Sequence, residues 1–285
     1  MNWYEGFLLG LVQGLTEFLP VSSSGHLRIG RELLGIEAGG DVMFEVAVHA
    51  ATVLSTIVVF RRQIRDLLCS LFRRDGLFRN FSKTEPYNDG TDYVLKILLS
   101  MIPVFIVGMF FKDAVTALFD SIYVVAAALL VTAVLLLLSD YSDKIFKRRP
   151  AAPEDSPESG PRNGISYWQA FVVGLGQAVA VIPGLSRSGT TIATGLLCGV
   201  RRDTVAQFSF LMVLVPILGE AFLDIVGGGF SESSVGVVPI LAGFCSAFLS
   251  GLLACRVMVA LVKKTRLCWF ALYCAAVSVL IFIFA

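Results

Sequence analysis

The chain has 285 residues, of which 56% are hydrophobic and 16% charged, with a formal net charge of +1 and a mean hydropathy of +0.77. Soluble domains carry nearer a quarter charged residues, so the composition excludes an ordinary soluble fold and points to an all-α polytopic membrane protein. The net charge singles out no partner; where the charges sit is more informative.

The N-terminal MNWYEGFLLG has neither a basic n-region nor a small-residue cleavage site, so it is not expected to be a removable signal peptide. Residues 3 to 36 are too polar and too short for an ordinary span. Within them Gly14 to His26, GLTEFLPVSSSGH, sets an acid, three consecutive hydroxyls and one of only two histidines among Leu, Val and Phe. Apolar stretches of the about 20 residues a bilayer requires follow at 42 to 61, 92 to 111 and 115 to 138. The tract RRPAAPEDSPESGPRNG is rich in Pro, Ser and charge, lacks an apolar period, and reads as a flexible linker. A second short polar segment occupies 167 to 200, and further spans lie at 203 to 226, 236 to 262 and 267 to 285. The expectation is one membrane domain, 1–285, with a first half at 1–140, a cytoplasmic linker at 141–165 and a second half at 166–285.

Arg61, Arg62, Arg65, Arg73, Arg74, Arg79 and Lys83 crowd the connection after the first span, and Lys144, Lys147, Arg148, Arg149 and Arg162 the one before residue 165. By the positive-inside rule these loops are cytoplasmic, as is Lys263 to Arg266, which places the C-terminus outside. The six cysteines have no C-x-x-C spacing and fall mostly in apolar spans, where cysteine behaves as a small hydrophobe; neither disulfides nor zinc are expected.

The two polar segments superpose without a gap at an offset of 164. Phe7 falls on Phe171, Gly10 on Gly174, Gln13 on Gln177, Ser22 on Ser186, Ser24 on Ser188, Gly25 on Gly189 and Gly35 on Gly199. Coincident Leu and Val are common between apolar segments; Gln, Ser and Gly in register are not, so the chain reads as an internal duplication. Each half holds one Gly/Pro-broken hairpin and three spans. An odd number of crossings per half inverts the second copy, which is the inverted-topology repeat. Broken backbone at membrane depth is tolerated only where protein buries it or it lines a wet cavity, so two re-entrant hairpins are expected to meet from opposite faces.

In the second hairpin, VIPGLSRSGTT, Pro183 and Gly184 end one helix and Ser186 to Thr191 open the next. Unpaired N–H groups and the helix dipole there favour an anion. Arg187 adds a forked cation suited to phosphate oxygens, and Ser186, Ser188 and Thr190 add hydroxyls. The bland alternative is a capped helix with Arg187 snorkelling. No G-x-x-x-x-G-K-[ST] is present, so a nucleotide P-loop is not supported. In the first hairpin, Gln13 and Glu17 share a helix face and can hold a divalent cation through oxygen. A serine of the Ser22 to Ser24 run beside His26 can be a nucleophile beside a base, or the run can be a helix cap. His49, in FEVAVHAATVLS, reads as a histidine hydrogen-bonded between helices, with Glu45 one turn earlier. Glu220 and Asp224 are expected to be solvated or paired.

GLVQGLTEFLPVSSSGHL together with IPGLSRSGTT closely resembles the integral-membrane undecaprenyl-diphosphate phosphatase family, also linked to bacitracin resistance, over essentially the whole chain. The resemblance implies hydrolysis of undecaprenyl diphosphate to undecaprenyl phosphate and inorganic phosphate, which recycles the lipid carrier for cell-wall synthesis, in the bacterial cytoplasmic membrane with a site facing outward. It implies Mg²⁺ or Ca²⁺ as a supporting cation. The family's acidic motif appears here as Gln13 and Glu17, one carboxylate rather than two, and its active-site serine, histidine and arginine match Ser23, His26 and Arg187. Ser22, Ser24, Gly25, Ser186, Ser188, Gly189 and Thr190 are then expected around the phosphates. Attack by Ser23, by His26 or by water remains open on sequence grounds. The partners expected are the lipid substrate and membrane lipids, with no nucleic acid; the small residues from Gly243 to Gly251 are suited to pack a second subunit as a homodimer. The rival reading is a transporter or flippase of a lipid phosphate or organic anion, using the same inverted-repeat site.

Overall fold

In the computed structural model, residues 1–36, 42–73, 88–111, 115, 118, 121–145, 162–219, 235–264 and 266–284 are described; most of the expected linker, and Glu220 and Asp224, lie outside them. The described residues form ten α-helices and no strand. They are α1 (Trp3–Thr16), α2 (Ser23–Leu33), α3 (Val42–Leu71), α4 (Asp89–Phe110), α5 (Ile122–Ile145), α6 (Tyr167–Val179), α7 (Arg187–Leu197), α8 (Arg202–Met212), α9 (Val237–Lys264) and α10 (Cys268–Phe284). Helix α8 is interrupted at Val213 and resumes to Gly219.

Among the described residues, five helical stretches are long and apolar enough to cross a bilayer: Met43–Leu71, Asp89–Phe110, Ile122–Ser142, Arg202–Gly219 and Val237–Val262. The sixth expected span, α10, is apolar but has 17 residues, or about 25 Å at 1.5 Å per residue against a hydrocarbon core of about 30 Å. Helix α3 runs ten residues past the expected end at 61, carrying Arg61, Arg62 and Arg65 on an exposed extension. Hydropathy reports where lipid ends; backbone hydrogen bonding continues beyond it.

The two short polar segments are helical hairpins, α1–α2 and α6–α7, and their local chemistry repeats at the 164-residue offset. Asn2 with Glu5 forms a capping box at the start of α1, and Ser166 with Gln169 forms one at the start of α6. Ser22 caps α2 by accepting from the Gly25 N–H (3.3 Å), and Ser186 caps α7 by accepting from the Gly189 N–H (3.1 Å). Each hairpin ends in a glycine with positive φ, Gly35 (66°) and Gly199 (82°), a conformation that costs glycine little.

Between helices in lipid the hydrophobic effect gives little, so close packing and interhelical hydrogen bonds hold the bundle. Helix α1 lies along α9: Gly6 abuts Pro239, Gly10 abuts Gly243 and Gly14 abuts Ala247. In the second half α6 lies along α4, with Gly174, the counterpart of Gly10, abutting Ser100. Within the Gly243 to Gly251 run, Gly243 packs against α1 and Phe44 and Gly251 against Ser55, while Cys245 and Leu249 are exposed. Ser246 donates to the Phe7 carbonyl (2.7 Å), Ser55 to Phe248 (2.8 Å) and Ser278 to Ala126 (2.7 Å), tying α9 to α1, α3 to α9 and α10 to α5.

Charged and amide groups tie helix ends together on one face. Lys96, which is 2% exposed, pairs with Asp92 at 2.5 Å, and Asp92 also accepts from Tyr167 (2.8 Å) and Asn163 (3.1 Å). Arg202 pairs with Asp140 at 2.5 Å, and the other Asp140 oxygen accepts the Cys268 N–H (2.8 Å) at the start of α10. Asn88 and Thr91 donate to the Ser70 carbonyl. The end of α3, the start of α4, the end of α5 and the starts of α6, α8 and α10 therefore share one end of the bundle.

Candidate active site

The two hairpin tips touch. Ser188 Oγ, at the start of α7, donates to the Leu19 carbonyl (3.0 Å), and the Gly184 N–H donates to Ser24 Oγ (3.4 Å). A Cβ added at Gly189 would press on Pro20 at 3.2 Å, and one at Gly25 on Val125 at 3.1 Å, so both tips pack tightly against the opposite structure. Gly184 itself has φ 86° and lies against the backbone of Val125. The N-termini of α2 and α7 are thus brought to one place, and both present unpaired N–H groups and positive dipole ends there.

Glu17 is the C-cap of α1, with its side chain 9% exposed. Its Oε2 accepts from Gln13 Nε2 (2.9 Å) and from Ser23 Oγ (2.6 Å). Ser23 is the first residue of α2, held by Ser22, whose φ of 70° is rare for a residue with a side chain. Backbone strain of that kind, of order 1–3 kcal/mol, gathers at functional sites. Across the junction Arg187 and Glu17 line one narrow cavity together with Thr52, Thr56, Thr191 and Ser209. The side chain of Arg187 has no ion pair among the described residues.

Gln13, Glu17, Ser23 and Arg187 are therefore brought together. Ser186 and Ser24 serve as cap or tip contacts, and the Thr190 hydroxyl is buried without a partner among the described residues. The Ser23 to His26 hydrogen bond that sequence suggests is not made. His26 Nδ1 faces the Ser22 carbonyl (2.7 Å) and Nε2 faces the Tyr273 hydroxyl (2.7 Å), so the serine proton points at Glu17 instead. The physical reason is helical: Ser23 and His26 both lie in the first turn of α2, where the imidazole satisfies the strained cap carbonyl.

Sequence reasoning missed Thr52, Thr56, Thr191, Ser209 and Tyr273, and it read His49 only as a histidine hydrogen-bonded between helices. His49 Nδ1 faces the Glu45 carbonyl (2.8 Å) on its own helix, while Nε2 lies 3.9 Å from Glu17 Oε2. Glu45 pairs with Arg31 at 2.6 Å. The signal for part of this was present: Glu45, His49, Thr52 and Thr56 are spaced four, three and four apart, a polar stripe in the mostly apolar first half of α3. Thr191 and Ser209 share a 2.5 Å hydrogen bond on the far wall of the cavity.

No group of three His, Cys, Asp or Glu gathers among the described residues, so no preformed cage for a metal is present there. A partial set does fit a hard cation: Gln13 Oε1 is buried and unpartnered beside the Glu17 carboxylate. Magnesium is commonly held by one or two carboxylates with water and substrate phosphate completing the shell.

The matches with known proteins run the length of the chain. A relative named undecaprenyl-diphosphatase from Bacteroides fragilis is 49% identical over 98% of this chain and 97% of its own. One of the same name from Bacteroides thetaiotaomicron is 47% identical over 99% of each. Another from Methanococcus vannielii is 34% identical over 97% of this chain and 98% of its own. The family model for bacitracin resistance protein BacA matches residues 6–280, which include the second hairpin, all but the first residues of the first, and the Glu17, Ser23 and Arg187 junction. The chain belongs to that family.

Proposed function

We propose that this integral membrane protein hydrolyses undecaprenyl diphosphate to undecaprenyl phosphate and inorganic phosphate, the activity for which its relatives are named. The observation that carries the mechanism is the 2.6 Å hydrogen bond from Ser23 to Glu17. It pairs a hydroxyl with a carboxylate base at a junction of two helix N-termini and one arginine.

Arg187 and the N–H groups opening α7 hold the phosphates, with Ser22, Ser24, Gly25, Ser186, Ser188, Gly189 and Thr190 shaping the cradle. Ser23 Oγ attacks the terminal phosphorus as its proton passes to Glu17. The bond to the bridging oxygen breaks, and undecaprenyl phosphate leaves with that electron pair. Water then attacks the phosphoserine and gives its proton to His26 Nε2, while Ser23 Oγ departs and recovers its proton from Glu17. Phosphoryl transfer asks mainly for positioning and charge stabilisation, which this set supplies. Gln13 Oε1 and Glu17 would hold a divalent cation, Mg²⁺ or Ca²⁺, whose chemistry is to neutralise phosphate charge.

The architecture we infer is six crossings and two oppositely inserted re-entrant hairpins. Helix α1 runs beside the start of α9, whereas α6 starts in the polar cluster at the other end of the bundle, near the end of α9; that opposition supports inversion. Arg61, Arg62 and Arg65 support a cytoplasmic polar-cluster end. The first hairpin then opens outward from the cytoplasmic membrane, and the C-terminus is outside. A transporter would use the same cradle, but transport does not require a serine hydrogen-bonded to a buried carboxylate.

Phosphate release from undecaprenyl diphosphate by the purified protein, with and without chelator, tests this directly. Wild type should release phosphate in a cation-dependent manner, and Glu17→Ala, Ser23→Ala and Arg187→Ala should not. Binding of the lipid without release would transfer the site to the transporter reading, and full activity in Ser23→Ala would remove the phosphoserine.

A further inference from the structure

Tyr273 stands in α10, 247 residues from His26, yet two separate contacts join them. The hydroxyl lies 2.7 Å from His26 Nε2, and the two rings stack with centroids 5.5 Å apart and planes 10° from parallel. The other imidazole nitrogen faces the Ser22 carbonyl at 2.7 Å. A carbonyl can only accept, so Nδ1 carries the proton. In the neutral ring Nε2 then holds the lone pair, and the tyrosine O–H donates to it. Stacking removes the ring's remaining freedom to turn about its bond to Cβ. The tyrosine therefore fixes which nitrogen of His26 is basic and where it points.

We infer that Tyr273 is a positioning residue for His26, orienting the imidazole so that Nε2 is the acceptor presented when water takes the hydroxyl's place. The assignment rests on the role given above to His26. It also explains why a polar aromatic occupies this position of an otherwise apolar helix. A tyrosine in such a helix ordinarily anchors at the membrane interface, and an anchor alone would need neither the hydrogen bond nor the parallel stack. The contact couples the last helix of the second half to the hairpin of the first, so the site is complete only when both halves are docked.

His26 and His49 are the only histidines, so protein labelled with ¹⁵N-histidine gives two imidazole signatures that can be assigned with His49→Asn. In wild type His26 should appear as the Nδ1–H tautomer with a hydrogen-bonded Nε2. Tyr273→Phe, which keeps the stack and loses only the hydroxyl, should shift that Nε2 signal and leave His49 unmoved. It should lower kcat about tenfold with KM unchanged, the scale of one orienting hydrogen bond. In a His26→Ala background the same substitution should cost nothing more. An unchanged Nε2 signal and kcat in Tyr273→Phe, with His26→Ala inactive, overturns this inference alone. An equal loss in both backgrounds also overturns it, because the tyrosine would then act independently of His26. Full activity in His26→Ala removes both the histidine's proposed role and the tyrosine's.

Discussion

Glu17 gathers the site because one of its carboxylate oxygens takes two side-chain donors at once. Gln13 and Ser23 both donate to the same oxygen, and His49 and Arg187 stand beside it. Glu17→Gln keeps the size of the side chain and much of its hydrogen bonding but removes the proposed base. We expect kcat to fall by about 10² to 10⁴, the range for general-base catalysis, while the melting temperature in detergent stays near wild type. A near-normal kcat would mean that Ser23 loses its proton elsewhere. Arg187→Lys keeps the charge but loses the planar fork that matches phosphate oxygens, so it should raise KM and lower kcat together. At this scale the sequence was readable where polarity was out of place: Glu17, the serines and Arg187 stand out against Leu and Val. His49 was read as bland, because a single histidine in an apolar span does not reveal which helix it faces. Tyr273 left no trace, since its partner is 247 residues away.

Helix ends and helix contacts were legible to different degrees. The hairpins expected at 3–36 and 167–200 correspond to α1–α2 and α6–α7 within a few residues, because capping residues and positive-φ glycines mark their boundaries. The span expected at 115–138 overlaps α5, which begins at Ile122; Val115 and Leu118 are helical too, and the residues around them lie outside those described. Contacts follow from glycine only once the neighbour is known. Gly10 and Gly174 occupy equivalent positions, and each lies against the backbone of a crossing helix, at Gly243 and Ser100. An alanine at either must push two helices apart. Gly10→Ala and Gly174→Ala should each cost about 1–3 kcal/mol, the usual penalty for overpacking, read as a lower melting temperature in detergent. Gly108, which has open space around it, should accept alanine without that loss. Equal behaviour of the three would mean that the paired close approaches do not carry the bundle.

Taken whole, the molecule separates its two ends by chemistry. One end is knit by Lys96 with Asp92, Arg202 with Asp140, and the amide contacts of Asn88 and Asn163. Breaking a buried pair strands the remaining charge, at about 3–5 kcal/mol, so Lys96→Met should destabilise the protein far more than its distance from Glu17 would suggest. The same end carries the basic extension of α3, and that coincidence turns a charge rule into a directional expectation for the site. Cys69 sits exposed on this extension, and Trp3, 61% exposed, opens the hairpin that carries Glu17 and Ser23 at the other end. In a background with all other cysteines replaced, Cys69 should react with a membrane-impermeant maleimide only after spheroplasts are opened. A cysteine introduced by Trp3→Cys should react in intact spheroplasts. The reverse pattern would turn the hairpin carrying Ser23 and Glu17 toward the cytoplasm. The lipid diphosphate would then have to reach the enzyme from inside.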